Sequence, residues 1–204
     1  MKSPTLTLLT VVPACLIALF GCAPSDTDDS SGGSTLTGPI ADLQGTWITS
    51  CYPDGDGNYV KESFKVEGSK VTTKDGYYSN SSCTDSLYDY DSISTNLTIG
   101  DSVTFVDGTK GYKFSMAVQS FKAVVSSQAS ADILNAASFC GLTNWKPNVS
   151  TELMGMTCNG SVISPKNTLI LSMYNIIGNN LYLGEGNTDT YPTTVNTSLI
   201  YVKQ

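Results

Sequence analysis

The chain of 204 residues contains no histidine, and all 11 of its basic residues are lysine. The missing imidazole removes His-based triads, His metal sites and acid–base chemistry by that ring near neutrality. The missing guanidinium removes the planar clamp that grips phosphate or carboxylate through two parallel hydrogen bonds. Positive charge is scarce as well, since 18 acids outweigh the lysines and leave a net charge of −7. Nucleic acid binding needs clustered cations to displace counterions, so no nucleic acid partner is expected. What remains is an acidic chain rich in Gly, Ser, Thr and Asn, of single-domain length.

A long apolar run is also missing. The stretch Leu6–Phe20 follows a single charge, Lys2, and is shorter than the roughly 20 residues a spanning helix needs. It has the layout of an export signal. Its end, Leu19-Phe20-Gly21-Cys22, resembles the lipobox of bacterial lipoprotein precursors. That resemblance implies cleavage after Gly21, a diacylglycerol on the Cys22 sulfur and an acylated new amino terminus. A competing box, Val12-Pro13-Ala14-Cys15, would leave a greasy stub after cleavage and is set aside. Residues 1–21 are therefore expected to be a signal peptide. Residues 22–39, acidic and Gly/Ser-rich, are expected to be a lipidated flexible tether that cannot order itself by burial. The implied location is the cell envelope, with the membrane as partner through the anchor. Ala23 after the Cys resembles the pattern for delivery to the outer membrane of Gram-negative bacteria. Without the leader the chain carries 10 Lys against 18 acids, a net charge of −8, which disfavours flat adsorption to anionic lipid.

Residues 40–204 form the expected domain, and their apolar residues recur with period two. Val60, Phe64 and Val66 alternate with polar neighbours, as do Tyr112, Phe114, Met116 and Val118. Ile93, Leu97 and Ile99 are expected on one face of their strand, opposite Ser94. Turn-forming pairs divide the strands at Glu67-Gly68-Ser69, Asp107-Gly108 and Gly178-Asn179-Asn180, and the last predicts a hairpin between Leu169–Ile177 and Leu181–Leu183. A final strand over Ser198–Val202 is placed to pair with an early one and close the sheet. One segment, Gln128–Phe139, breaks the alternation and predicts a short helix with Ser127 as N-cap and Gly141 beyond its end. About eight strands and one helix predict an all-β antiparallel barrel or sandwich. Beyond Cys15 and Cys22, four cysteines allow three pairings. The expected one is sequence-local, Cys51–Cys83 and Cys140–Cys158; disulfides are expected rather than a zinc site because there is no C-x₂-C pair and an exported chain meets an oxidising compartment.

The start of the domain, Gly45-Thr46-Trp47, resembles the Gly-x-Trp motif on the first strand of lipocalins. The resemblance implies an eight-stranded barrel whose Trp47 packs across the closed end, with Gly45 beside it, and a small apolar ligand inside. The late Arg that packs on this Trp in lipocalins has no counterpart in a chain without Arg. A wider likeness is to uncharacterised exported lipoproteins of Gram-negative bacteria. It rests on Gly45-Thr46-Trp47 with Cys51, Tyr77-Tyr78 with Cys83, Phe139-Cys140-Gly141 with Trp145 and Cys158, and Leu181-Tyr182-Leu183-Gly184.

Candidate chemistry is thin. Asp54-Gly55-Asp56-Gly57-Asn58 begins like a calcium loop, but Tyr59 and Lys65 stand where an EF-hand needs Gly and Glu. An exposed hairpin loop is the simpler reading, and no metal or cofactor is expected. In Tyr88-Asp89-Tyr90-Asp91 a strand puts both Tyr on one face and both Asp on the other. Two neighbouring same-face carboxylates lack the opposed walls of a glycosidase pair. Tyr88, Tyr90 and Trp145 are the candidate ligand contacts, Trp145 because it lies in a loop bracketed by Cys140 and Cys158. The expected function is non-enzymatic: a lipid-anchored barrel binding a small apolar or amphiphilic ligand. The alternative is an interaction module with a filled barrel and a protein or polysaccharide partner.

Overall fold

The computed structural model describes residues 38–105 and 108–204. The expected leader, Cys22 and the tether up to position 37 lie outside the described residues, as does Asp107 of the expected Asp107-Gly108 turn.

Eight antiparallel strands close into a barrel: β1 Gly45–Thr49, β2 Tyr59–Glu67, β3 Lys70–Tyr78, β4 Ser86–Thr104, β5 Lys110–Val125, β6 Leu169–Ile177, β7 Asn180–Leu183 and β8 Tyr201–Lys203. Around the ring each strand lies beside its neighbour in sequence, and β8 returns to pair with β1. This is the up-and-down barrel that the alternation and the Gly45-Thr46-Trp47 motif predict. Closure pairs both sides of each of the eight barrel strands. The hairpins sit where the turn residues put them, with Gly68 at φ +61° and Gly178 at φ +62°, backbone that a side chain with Cβ disfavours.

One end of the barrel is plugged. A single helical turn, α1 Pro39–Leu43, lies across it and buries Leu43. The Trp47 indole N–H donates to the Leu43 carbonyl at 2.9 Å, and the Tyr174 hydroxyl donates to the Pro39 carbonyl at 2.7 Å. Trp47, Val66, Val71, Leu97 and Leu181 pack together here, each large side chain contributing about 1.5–3 kcal/mol by leaving water.

A second cluster forms a lobe on the long β4–β5 hairpin, at the ends away from Trp47. It joins Ala123 and Val125 to Phe139, Trp145, Leu153 and Cys158. Helix α2, Gln128–Ala136, starts as expected, with the Ser127 hydroxyl accepting from the Ser130 N–H at 3.1 Å. Both predicted disulfides, Cys51–Cys83 and Cys140–Cys158, are formed.

Three local expectations are corrected. The helix stops at Ala136 rather than Phe139. Ser138 and Cys140 turn to positive φ, while the Asn135 side chain holds the Trp145 backbone, so that Phe139 and Cys140 drop into the lobe's core instead of continuing the helix. Ser94, expected on the polar face, is buried. Register shifts at Ile93/Ser94 and Thr95/Thr98, with Asn96 at φ +57°, exchange the faces of β4 partway along it, as β-bulges do. The last strand starts at Tyr201, not Ser198, because Asn196 accepts from the Ser198 N–H at 3.0 Å and makes a turn there.

Candidate functional site

The two-residue turn at Gly68-Ser69 sets the register of β2 against β3: Glu67 faces Lys70, and each step inward adds one pair. From the plugged end, the inward-facing pairs are Val66 with Val71, Phe64 with Thr73, Glu62 with Asp75, and Val60 with Tyr77. Two carboxyl side chains thus stand directly opposite each other on the barrel's inner wall. Like charges in this position are destabilising, and neither acid is in an ion pair among the described residues, where the pairs are Lys65–Glu67 and Lys74–Asp89. Lys74 neighbours Asp75 in sequence but is turned to the outer face, 2.8 Å from Asp89.

The acids differ in their surroundings. Glu62 accepts hydrogen bonds from the Tyr52 and Tyr201 hydroxyls, and its own N–H donates to the buried Thr49 hydroxyl at 2.9 Å. Burial and the Glu62 carboxylate hold both phenols well above the usual tyrosine range. Asp75, half-buried, receives no hydrogen bond from any described residue. Burial, the Glu62 charge and then the Asp91 charge push its carboxyl from 3.8 up to about 7. Across the other strand boundary Asp75 faces Tyr90 of β4, whose phenol is pushed up to about 12 by burial and by the Asp75 charge.

A cavity of about 200 Å³ adjoins this pair inside the barrel. Glu62, Asp75, Thr73, Ser172 and Tyr201 supply its polar lining. Phe64, Phe114, Met116, Ile170 and Leu183 supply apolar walls, and the rings of Phe64 and Phe114 meet edge to face. Barrels of eight strands are narrow enough for side chains to fill, so open space beside two unpaired acids is a built feature of the interior.

The residues singled out from sequence fall around this cavity rather than in its wall. Tyr88 stacks on Tyr77 with ring centres 4.6 Å apart, and Tyr90 stacks on Phe121 at 5.4 Å. Tyr90 stands level with Asp75 on the neighbouring strand and Tyr88 one step further toward the lobe, opposite Tyr77, while Asp89 points outward to Lys74. Trp145 is 3% exposed. Its indole donates to the Phe139 carbonyl at 3.3 Å, and it packs in the lobe's core. The Asp54 loop is closed by its own side chain, which accepts from the Asp56 and Asn58 N–H groups, and no group of three or more metal-binding side chains forms among the described residues.

The sequence carries a signal for Glu62 and Asp75 that the apolar alternation alone does not show. Each is a charge at an inward position of a period-two strand, and the Gly68 turn alone suffices to pair them. A second, wider space of about 790 Å³ lies outside the barrel, between Lys113 and Met173 and the loop from Tyr191 to Thr197. Lys113 stands 5.2 Å from the Tyr191 ring centre there, and its wall at Phe105 adjoins residues outside those described.

Compared with protein-family models and with curated proteins, the chain matches none.

Proposed function

We propose that this protein is a lipid-anchored envelope protein whose barrel binds a small organic molecule in the cavity between Phe64, Phe114 and the Glu62–Asp75 pair. It holds that molecule without transforming it. One observation carries the reading: the interior beside the acids is open, about 200 Å³, where a filled barrel would have side chains. Few polar groups converging on an apolar space is the usual composition of a ligand pocket. At ~30 Å³ per water the space holds about six waters, so the ligand is smaller than a lipid and its apolar part is short.

The anchor and the location rest on the lipobox at Cys22 and on two disulfides, which suit an oxidising, exported setting. The first described residues, Gly38 and Pro39, lie at the plugged end, and by this reading the domain hangs from the membrane by that end.

The test is a pair of mass spectra of the chain purified from an oxidising envelope, one native and one denaturing. A reproducible extra mass that disappears on denaturation is expected, and its identity would name the ligand. An unadorned mass that stays unadorned after incubation with a small-molecule extract of the producing cells would sink the binding reading and return the filled-barrel module.

A further inference from the structure

The ligand-binding reading leaves the chemistry of the ligand open, and the cavity wall narrows it. We propose that the cavity selects a small primary amine, its ammonium held by Asp75 and Glu62 and its short apolar body laid against Phe64, Phe114 and Met116. This inference rests on the binding reading above.

Four observations lead there. Two carboxyls face each other across β2 and β3 on the inner wall, and both line the same cavity. No described lysine pairs with either. Glu62 accepts one hydrogen bond on each carboxylate oxygen, from Tyr52 and Tyr201, and keeps a further lone pair on each, whereas Asp75 lines the cavity with no donor from any described residue. The remaining lining is aromatic and aliphatic. An anionic ligand would add a third like charge to the same small space. A neutral one would leave the acids opposed and uncompensated, which costs free energy in a low-dielectric interior. A hard divalent cation wants six to eight oxygens, several of them carboxylate, and no group of three or more metal-binding side chains forms among the described residues. An ammonium supplies positive charge and three N–H donors, and the faces of Phe64 and Phe114 add attraction for it.

The charged and titratable groups facing Asp75 are Glu62 on β2, Tyr77 on β3, Tyr90 and Asp91 on β4, and Tyr52 and Tyr201 beyond Glu62. All are acids or phenols. Binding an ammonium therefore favours the ionised form of Asp75, and amine binding should expel a proton as the pH falls through the range where Asp75 titrates.

The experiment uses the full chain, expressed with its own leader into an oxidising periplasm and purified in mild non-ionic detergent. Calorimetric titrations are run with primary amines from methylamine to phenethylamine, each paired with the alcohol of the same skeleton, and with phenylacetate. At about pH 8, where Asp75 is ionised, at least one amine is expected to bind at least about tenfold tighter than its alcohol, and phenylacetate not at all. Asp75→Asn is expected to abolish that preference, and Glu62→Gln to reduce it, with circular dichroism and both disulfides unchanged. Lowering the pH to about 5 should weaken the amine by about tenfold or more and leave the alcohol alone.

Alcohols binding as tightly as amines would overturn the amine inference and leave the cavity as a neutral site. So would undiminished amine binding by a folded Asp75→Asn variant. If no amine binds at all the inference falls too, and the native mass spectrum then decides separately whether the cavity holds anything else.

Discussion

Lys203, the next-to-last residue of the chain, holds its ammonium 4.9 Å from the centre of the Trp47 ring. The two residues are also directly paired where β8 meets β1, and the Gln204 N–H donates to the Thr46 carbonyl at 2.9 Å beside them. A lysine therefore places a cation against the Trp47 ring at the plugged end. The ring is buried and the lysine exposed, so their contributions should differ. Lys203→Met is expected to cost about 0.5–1 kcal/mol, the value of an exposed cation–aromatic contact. Trp47→Ala should cost about 3–5 kcal/mol through the cavity it leaves. Urea unfolding midpoints at unchanged slope measure both. A Lys203→Met protein as stable as the parent would show that the ring contact contributes nothing.

The two tryptophans of the chain report separately on its two clusters, Trp47 on the barrel and Trp145 on the lobe. Cys140–Cys158 lies wholly within the lobe, so its removal should loosen the lobe and leave the barrel standing. On the chain-entropy relation its sequence separation of 18 corresponds to about 3 kcal/mol, and the separation of 32 for Cys51–Cys83 to about 4 kcal/mol. The double variant Cys140→Ala, Cys158→Ala is expected to red-shift and quench the Trp145 emission, read in a Trp47→Phe background. Trp47 emission, read with Trp145→Phe, should hold. Loss of both signals together would mean that lobe and barrel unfold as one unit.

The barrel was legible because its strands are half-buried and alternate with period two. Val60, Phe64 and Val66 and then Tyr112, Phe114 and Met116 mark the inner wall directly, and Gly68 and Gly178 mark the turns. What alternation does not encode is a change of face, and β4 makes one: its bulges turn Ser94 inward where Ile93 was expected to lead. The lobe hid for a related reason. Its helix was visible, but Phe139 and Cys140 leave helical geometry to be buried, a tertiary demand that local pattern does not carry. Alternation of apolar residues does not mark the acid pair, because Glu62 stands between Val60 and Phe64 and Asp75 between Thr73 and Tyr77, each an inward position held by a charge. Closure of the barrel is what makes those interruptions costly, since a charge on the inner wall has no solvent-facing alternative.

The anchor assignment makes a direct prediction. Cells expressing the chain and fed a labelled fatty acid should incorporate the label into this protein, and Cys22→Ser should abolish it. One saturated chain holds a protein to a membrane only marginally, and two or more hold it stably. Washing membranes at high salt should therefore leave the parent bound and release the variant. Label that persists in Cys22→Ser and vanishes in Cys15→Ser would move the anchor to the earlier cysteine.

The pH dependence of stability should bear the mark of Asp75. In the folded chain its carboxyl keeps a proton up to about pH 7, against 3.8 when free in solution. Between those values the folded state holds more protons than the unfolded one, so this group lowers stability as pH rises from about 4 to about 7. Each tenfold change in proton affinity is worth about 1.4 kcal/mol, which sets a ceiling of about 4 kcal/mol. The side chain is only half-buried, and screening through the cavity reduces the expected effect to about 2 kcal/mol. Asp75→Asn is thus expected to stabilise the protein by about that amount at about pH 8 and by nothing at about pH 3, where both states of the parent are protonated. A small amine at saturating concentration should raise the parent's unfolding midpoint at the higher pH and leave the variant's where it was, because only a ligand that binds the folded state adds to its stability. Equal stability of parent and variant at both pH values would remove the strain from the acid pair, and with it the reason for a cation to enter the barrel.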